Sequence, residues 1–134
     1  MNKILIDTNI FIYDLDKSSI FHDKAKKIIQ DESLELSTTS KNISEFFAVC
    51  TKLNIDEKIM FGYYEDILSN ILILFPEYHS LNIFKELLKI NKPKGNRVFD
   101  FEIVSIMLSN GILQIATMNI EDFKKIKEIT IYKN

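Results

Sequence analysis

The stretch Ile4-Leu5-Ile6-Asp7-Thr8-Asn9 decides the architecture of this chain. Three consecutive apolar residues without alternation predict a strand buried on both faces, as in a parallel sheet covered by helices. The aspartate that ends the run then stands just past a strand's carboxyl end, where such sheets bind ligands. Short apolar runs alternate with helical patterns from there on. A helical turn is expected over 10–13. A helix over 19–31 opens near Ser19, with Phe21, Ala25, Ile28 and Ile29 as its stripe. A strand over 34–37 leads through Thr39 or Ser40 into a helix ending near 53, striped by Ile43, Phe46, Phe47 and Cys50. Helices over 56–69, 79–90 and 100–110 follow, with strands at 71–75, 114–117 and 129–132 and a helical turn near Asp122. Strands separated by helices need crossover connections, which predicts an α/β fold: a three-layer α/β/α arrangement around a mostly parallel central sheet.

The chain's 134 residues make one domain, 1–134, with 46% hydrophobic and 27% charged residues, which is globular composition. Three glycines and two prolines are too few for an all-β architecture with many tight turns. Seventeen basic residues against nineteen acidic ones leave a net charge of −2, so any nucleic-acid binding is expected to be local. The single cysteine, Cys50, excludes an internal disulfide and a cysteine-rich zinc site. No basic leader precedes the first strand and no apolar run reaches membrane-spanning length. A soluble cytoplasmic protein without a membrane partner is expected. The absence of a glycine-rich phosphate loop excludes a nucleotide site of that type.

The residues just past the strands are Asp7-Thr8-Asn9, Thr39-Ser40 and Met118-Asn119. Asp7 is suited to cap the next turn, and equally to hold a hard cation. Asn9 is placed to cap as well, or to orient Asp7. Asp100 projects into the apolar face formed by Ile103, Val104, Met107 and Leu108. A carboxylate there costs several kcal/mol unless it is paired, capping or bound to metal. Arg97, the only arginine, is a candidate partner three residues upstream. Glu45 points away from its helix stripe and reads in isolation as a solvated glutamate. His22 and His79 lack partners at metal-ligand spacing, and Cys50 belongs to a core stripe. Lys92, Lys94 and Arg97 form a basic loop beside Asp100, suited to gripping a polyanion.

Taken together, these segments resemble the PIN domain family (PilT N-terminus), specifically its VapC-type toxins. Residues 4–13, Ile4-Leu5-Ile6-Asp7-Thr8-Asn9-Ile10-Phe11-Ile12-Tyr13, resemble the family's first strand and acidic motif. Phe21-His22-Asp23-Lys24-Ala25 is similar to a segment of its second helix. Ile43-Ser44-Glu45-Phe46 resembles the second acidic motif, Arg97-Val98-Phe99-Asp100 the third, and residues 116–123 the fourth. The resemblance covers nearly the whole chain, in order. It implies an acidic pocket holding Mg²⁺ or Mn²⁺, endoribonuclease activity, a homodimer and a small neutralising antitoxin. Asp7, Glu45 and Asp100 match the metal-binding acids. The fourth position, usually aspartate, is Asn119 here; an amide oxygen can still ligate a hard cation, and Asp122 is close by.

Such residues suit phosphodiester hydrolysis, which needs an activated water and an electrostatic clamp on a highly charged transition state. Two rival doubly wound folds fit less well. A phospho-acceptor signalling domain wants paired acids after the first strand, and a haloacid-dehalogenase-like phosphatase wants Asp-x-Asp where this chain has Asp7-Thr8-Asn9. A PIN-like module that binds RNA or protein without cutting is the alternative that Asn119 leaves open.

Overall fold

Ile4, Leu5 and Ile6 are fully buried at the centre of a five-stranded sheet in the computed structural model, which describes residues 1–133. Burying each of these side chains contributes about 1.5–3 kcal/mol, which fixes β1 (Asn2–Ile6) as the middle strand. It is followed by α1 (Thr8–Leu15), α2 (His22–Ile29), β2 (Leu34–Thr39), α3 (Ser40–Lys52), α4 (Glu57–Asn70) and β3 (Leu72–Leu74). The second half comprises α5 (Tyr78–Asn91), α6 (Arg97–Ser109), β4 (Gln114–Ala116), α7 (Ile120–Phe123) and β5 (Thr130–Ile131). The strand order is β3-β2-β1-β4-β5 and every pairing is parallel, so the three-layer expectation holds.

The pleat of β1 sorts its side chains between two cores. Ile4 and Ile6 join Ile10 and Phe11 of α1, Ala25 and Ile28 of α2, Phe46 and Cys50 of α3 and Met60 and Ile67 of α4. Leu5 joins Leu87 of α5, Val104 and Met107 of α6, and Phe123 of α7 on the opposite face. Cys50 is therefore a core residue, as its stripe suggested.

Three boundaries differ from expectation. The turn over 10–13 is a full helix from Thr8, because Asp7 caps it by accepting from the Thr8 N–H. Helix α2 begins later than Ser19 and has no side-chain cap; Ser19 Oγ instead accepts from the Phe21 N–H in the turn before it. Helix α6 starts at Arg97 after Gly95, whose φ of +59° redirects the chain, and its cap position is Asn96. Asp100 thus lies inside the first turn and is not a cap.

The order β3-β2-β1-β4-β5 reverses direction between β1 and β4. Crossovers leave that point on opposite sides, opening a crevice at the carboxyl ends of these two strands. Asp7 stands at one lip of it and Thr117 to Asn119 at the other.

Candidate functional site

Asp7 extends the β1–β4 ladder by one bond, its N–H donating to the Ala116 carbonyl at 3.0 Å. Its carboxylate is 5% exposed, and each oxygen accepts twice. Oδ1 takes the Thr8 N–H at 2.9 Å and the Asn42 amide at 3.3 Å. Oδ2 takes the Thr117 hydroxyl at 2.7 Å and the Asn9 amide at 3.2 Å. A carboxylate offers about four lone-pair sites, so every one has a protein donor. Burial nevertheless dominates and lifts the Asp7 pKa to about 6; the bonds from Thr117, Thr8 and Asn9 oppose the shift, and the charge of Glu45 adds to it.

The donors tie Asp7 to three places in the fold: the start of α1, helix α3 and the end of β4. Asn9 donates to Asp7 and Thr117 while accepting from the Met118 N–H at 3.0 Å, so it orients Asp7 as expected and pins the β4 end as well. Thr117 also accepts from the Asn119 N–H at 3.0 Å. Asn42, fully buried, bonds in the other direction. Its amide nitrogen donates to Asp7 and to Thr8 Oγ1, and its oxygen accepts from the Thr39 hydroxyl at 2.6 Å and the Thr39 N–H at 3.3 Å. Thr39 in turn accepts from the Asn42 N–H, completing a capping box at the start of α3. Asn42 and Thr117 escaped the sequence reading. A signal existed for Asn42: Thr39-x-x-Asn42 has capping-box spacing, with an amide in place of the usual Glu or Gln.

Glu45 lies three residues beyond Asn42 and is exposed. Its charge still reaches both Asp7 and Asp100. Exposure made it look merely solvated, and only its effect on Asp7 and Asp100 marks it as part of the site.

Asp100 is raised to about 6, first by burial and then by the Asp122 carboxylate; Arg97 opposes the shift, and Asp7 and Glu45 add smaller increments. Arg97 does not belong mainly to Asp100. Its Nη1 donates to Asp122 Oδ1 at 3.0 Å and its Nη2 to the Asp122 carbonyl at 2.8 Å, while Nε sits 3.7 Å from Asp100 Oδ2. Asp122 is thereby committed to Arg97. Asn119 is exposed at the start of α7 and makes no side-chain cap bond. Lys92, in the left-handed region at the end of α5, and Lys94 are exposed on the adjacent loop.

Asp7, Glu45 and Asp100 therefore face one another electrostatically, with Asn119 at the rim. Among the described residues, no three His, Cys, Asp or Glu side chains gather closely enough to hold a metal ion directly. A cleft of about 690 Å³ bounded by Asp14, Leu36, Tyr63 and Ile67 includes none of these residues. His22 packs instead of ligating, its Nδ1 lying 3.0 Å from the Tyr13 carbonyl.

The fold closely matches solved structures. A chain in the VapBC2 complex of Rickettsia felis, bound to a promoter DNA fragment, superposes with TM-score 0.73 at 19% identity, covering 97% of each chain. A Mycobacterium tuberculosis VapC toxin described as cleaving the sarcin–ricin loop gives 0.71 at 12% identity, over 89% of this chain and 92% of that one. A toxin–antitoxin complex from Klebsiella pneumoniae gives 0.71 at 19% identity, over 97% and 96%. No curated protein matches by sequence. The sequence model of the PIN domain matches residues 4–129, a span that takes in every acid of the crevice, and the chain belongs to the PIN domain family.

Proposed function

We propose that this protein is a metal-dependent endoribonuclease, the toxin of a type II toxin–antitoxin pair, acting in the cytoplasm. The observation that carries this is the charge-coupled trio Asp7, Glu45 and Asp100 at the strand-order reversal of a PIN-family sheet. Burial raises the pKa of both Asp7 and Asp100 to about 6, and the charge of Glu45 adds to each shift, so a cation bound among them would favour their ionised forms.

The donor set suits Mg²⁺ or Mn²⁺, because all its candidate ligands are oxygens. Mg²⁺ keeps several waters and needs only one or two directly bound carboxylates, so its remaining contacts can run through those waters. Asp7, Asp100, Glu45 and the Asn119 amide oxygen would hold it. Bound there, it would supply polarisation of the phosphate and activation of water. The chain's own residues do the rest. Four donors fix the orientation of Asp7, Asn42 couples that orientation to the helix bearing Glu45, and Lys92, Lys94 and Arg97 offer cations to the RNA backbone. The pocket holds no histidine, so proton transfer falls to the carboxylates.

Partners follow from the same family. Several structural neighbours are toxin–antitoxin complexes, which supports a small antitoxin. A homodimer is supported by apolar side chains left exposed on α4 (Ile59, Phe61, Leu68) and α5 (Tyr78, Leu81, Ile90). One specific observation favours the non-cutting alternative: the carboxylate of Asp7 has its four acceptor sites occupied by protein donors. Calorimetric titration with Mg²⁺ and Mn²⁺, beside cleavage of single-stranded RNA with and without EDTA, separates the two. Saturable metal binding with EDTA-sensitive cleavage is expected. Heat-silent titrations with intact RNA would overturn the metal-dependent nuclease.

A further inference from the structure

Two side chains at the crevice mouth are placed against the preferences of their own helices. Lys41 occupies the second position of α3, where a cation opposes the helix dipole. Phe99 lies in the first turn of α6 and is 44% exposed, outside both buried cores. The two meet across the gap between helices: Lys41 Nζ lies 4.0 Å from the centroid of the Phe99 ring. Local choices that help neither helix mark positions retained for another reason.

Their neighbours supply that reason. Lys41 is four residues before Glu45, so both share one face of α3. Phe99 directly precedes Asp100. An aromatic ring and an ammonium thus bridge the two helices that carry two of the three acids, and the ring remains accessible. We propose that Phe99 and Lys41 form a nucleotide subsite: the ring stacks on an unpaired base beside the scissile phosphate, and the ammonium holds the adjoining phosphate. This rests on the ribonuclease reading above and deepens it, because a stacking platform admits single-stranded or splayed RNA and excludes paired bases.

The test is equilibrium binding, by fluorescence anisotropy in Mg²⁺, of a short single-stranded 2′-O-methyl RNA checked intact after titration. Phe99→Leu keeps apolar volume but removes the aromatic face, and should weaken binding about tenfold. Phe99→Trp should bind at least as tightly as the wild type. Probes carrying one abasic site, moved along the strand, should reveal a position at which the Phe99→Leu effect disappears. Lys41→Ala should lower the slope of log affinity against log salt by about one. If Phe99→Leu binds intact and abasic probes as the wild type does, the ring only packs under Lys41 and the subsite is refuted, with RNA binding itself unharmed. An unchanged salt slope in Lys41→Ala removes the phosphate contact. Failure of the wild type to bind any probe overturns the ribonuclease reading itself, an outcome distinct from Phe99-independent binding.

Discussion

The two sides of the crevice hold their acids by different physics. On the β1 side, Asp7 is fixed by four neutral hydrogen-bond donors drawn from three places in the chain. On the α6 side, Asp100 has only a 3.7 Å approach from Arg97, whose hydrogen bonds go to Asp122. Hydrogen bonds to a buried group are directional and insensitive to salt, whereas ion pairs between half-exposed groups are soft and screened. A rigid anchor therefore faces an adjustable one. An acid that must approach or release a cation during turnover is better held by charge, and one that sets the frame by hydrogen bonds.

The largest expected effect abolishes function on both sides while separating their structural roles. Asp7→Asn and Asp100→Asn should each lower RNA cleavage by more than about 100-fold, since each removes a charged ligand from the proposed metal site. Only Asp7→Asn turns a donor toward donors, because its new amide NH₂ must face two of the four donating groups that Asp7 satisfies. Asp100→Asn relieves repulsion without creating such a mismatch, so it should melt at or above the wild-type temperature. Equal melting of the two variants at pH 5 would erase the proposed distinction.

Stability against pH tests the same contrast without RNA. Asp7 and Asp100 have folded pKa values of about 6, above the ordinary carboxylate value of 3.8. Between about pH 4 and pH 6 the folded chain binds more protons than the unfolded one, so stability falls as pH rises through this window and levels off above it. For the buried Asp7 the loss is on the order of 3 kcal/mol in metal-free protein. Melting in EDTA should therefore decline from pH 4.5 to 7, with a shallower decline in Asp7→Asn. Mg²⁺ should restore the wild type at pH 7 by binding the folded state. A wild-type profile that stays level across the window would contradict the raised values.

Removing one donor should have an intermediate effect. Thr117→Val deletes the shortest bond to Asp7, at 2.7 Å, and also strands the Asn119 N–H that it accepts. A hydrogen bond to a charged group contributes about 1.5–3 kcal/mol, so the variant should lose stability of that order. Because the bond holds the Asp7 pKa down, the acid limb of the cleavage profile should move to higher pH. Stability lost without that movement would make Thr117 a packing residue alone.

How far the sequence foretold this arrangement follows the same division. The run Ile4 to Ile6 announced the sheet because burial on both faces leaves no room for alternation. Asp100 announced itself because a charge on an apolar helix face is costly. Glu45 carried no such signal; its exposure is ordinary, and only the packing of α3 against α1 turns it toward the other acids. The bonds that Asn42 and Thr117 make to Asp7 were illegible for another reason, although the capping-box spacing of Asn42 was there to be read. Their partners lie 35 and 110 residues away, so no local periodicity registers them. The Arg97–Asp122 clasp also spans the chain, 25 residues apart, and the nearer Asp100 looked the more natural partner.

The smallest effects are expected from the groups around Asp100, not from Asp100 itself. Arg97 and Asp122 are each 41% exposed, and pairs so placed contribute about 0–1 kcal/mol. Arg97→Ala should cost no more than that, and the cost should shrink in high salt. Asp122→Asn should leave metal affinity nearly unchanged, because the carboxylate is already engaged by the guanidinium. Asn119→Asp adds a fourth charge at an exposed side chain with no cap bond to break, and should tighten metal binding severalfold. Calorimetry on the three variants ranks them. If Asp122→Asn proves as damaging as Asp100→Asn and Asn119→Asp is neutral, Asp122 leaves Arg97 when metal arrives. The fourth acid of the pocket would then be Asp122, released from an ion pair soft enough to yield it.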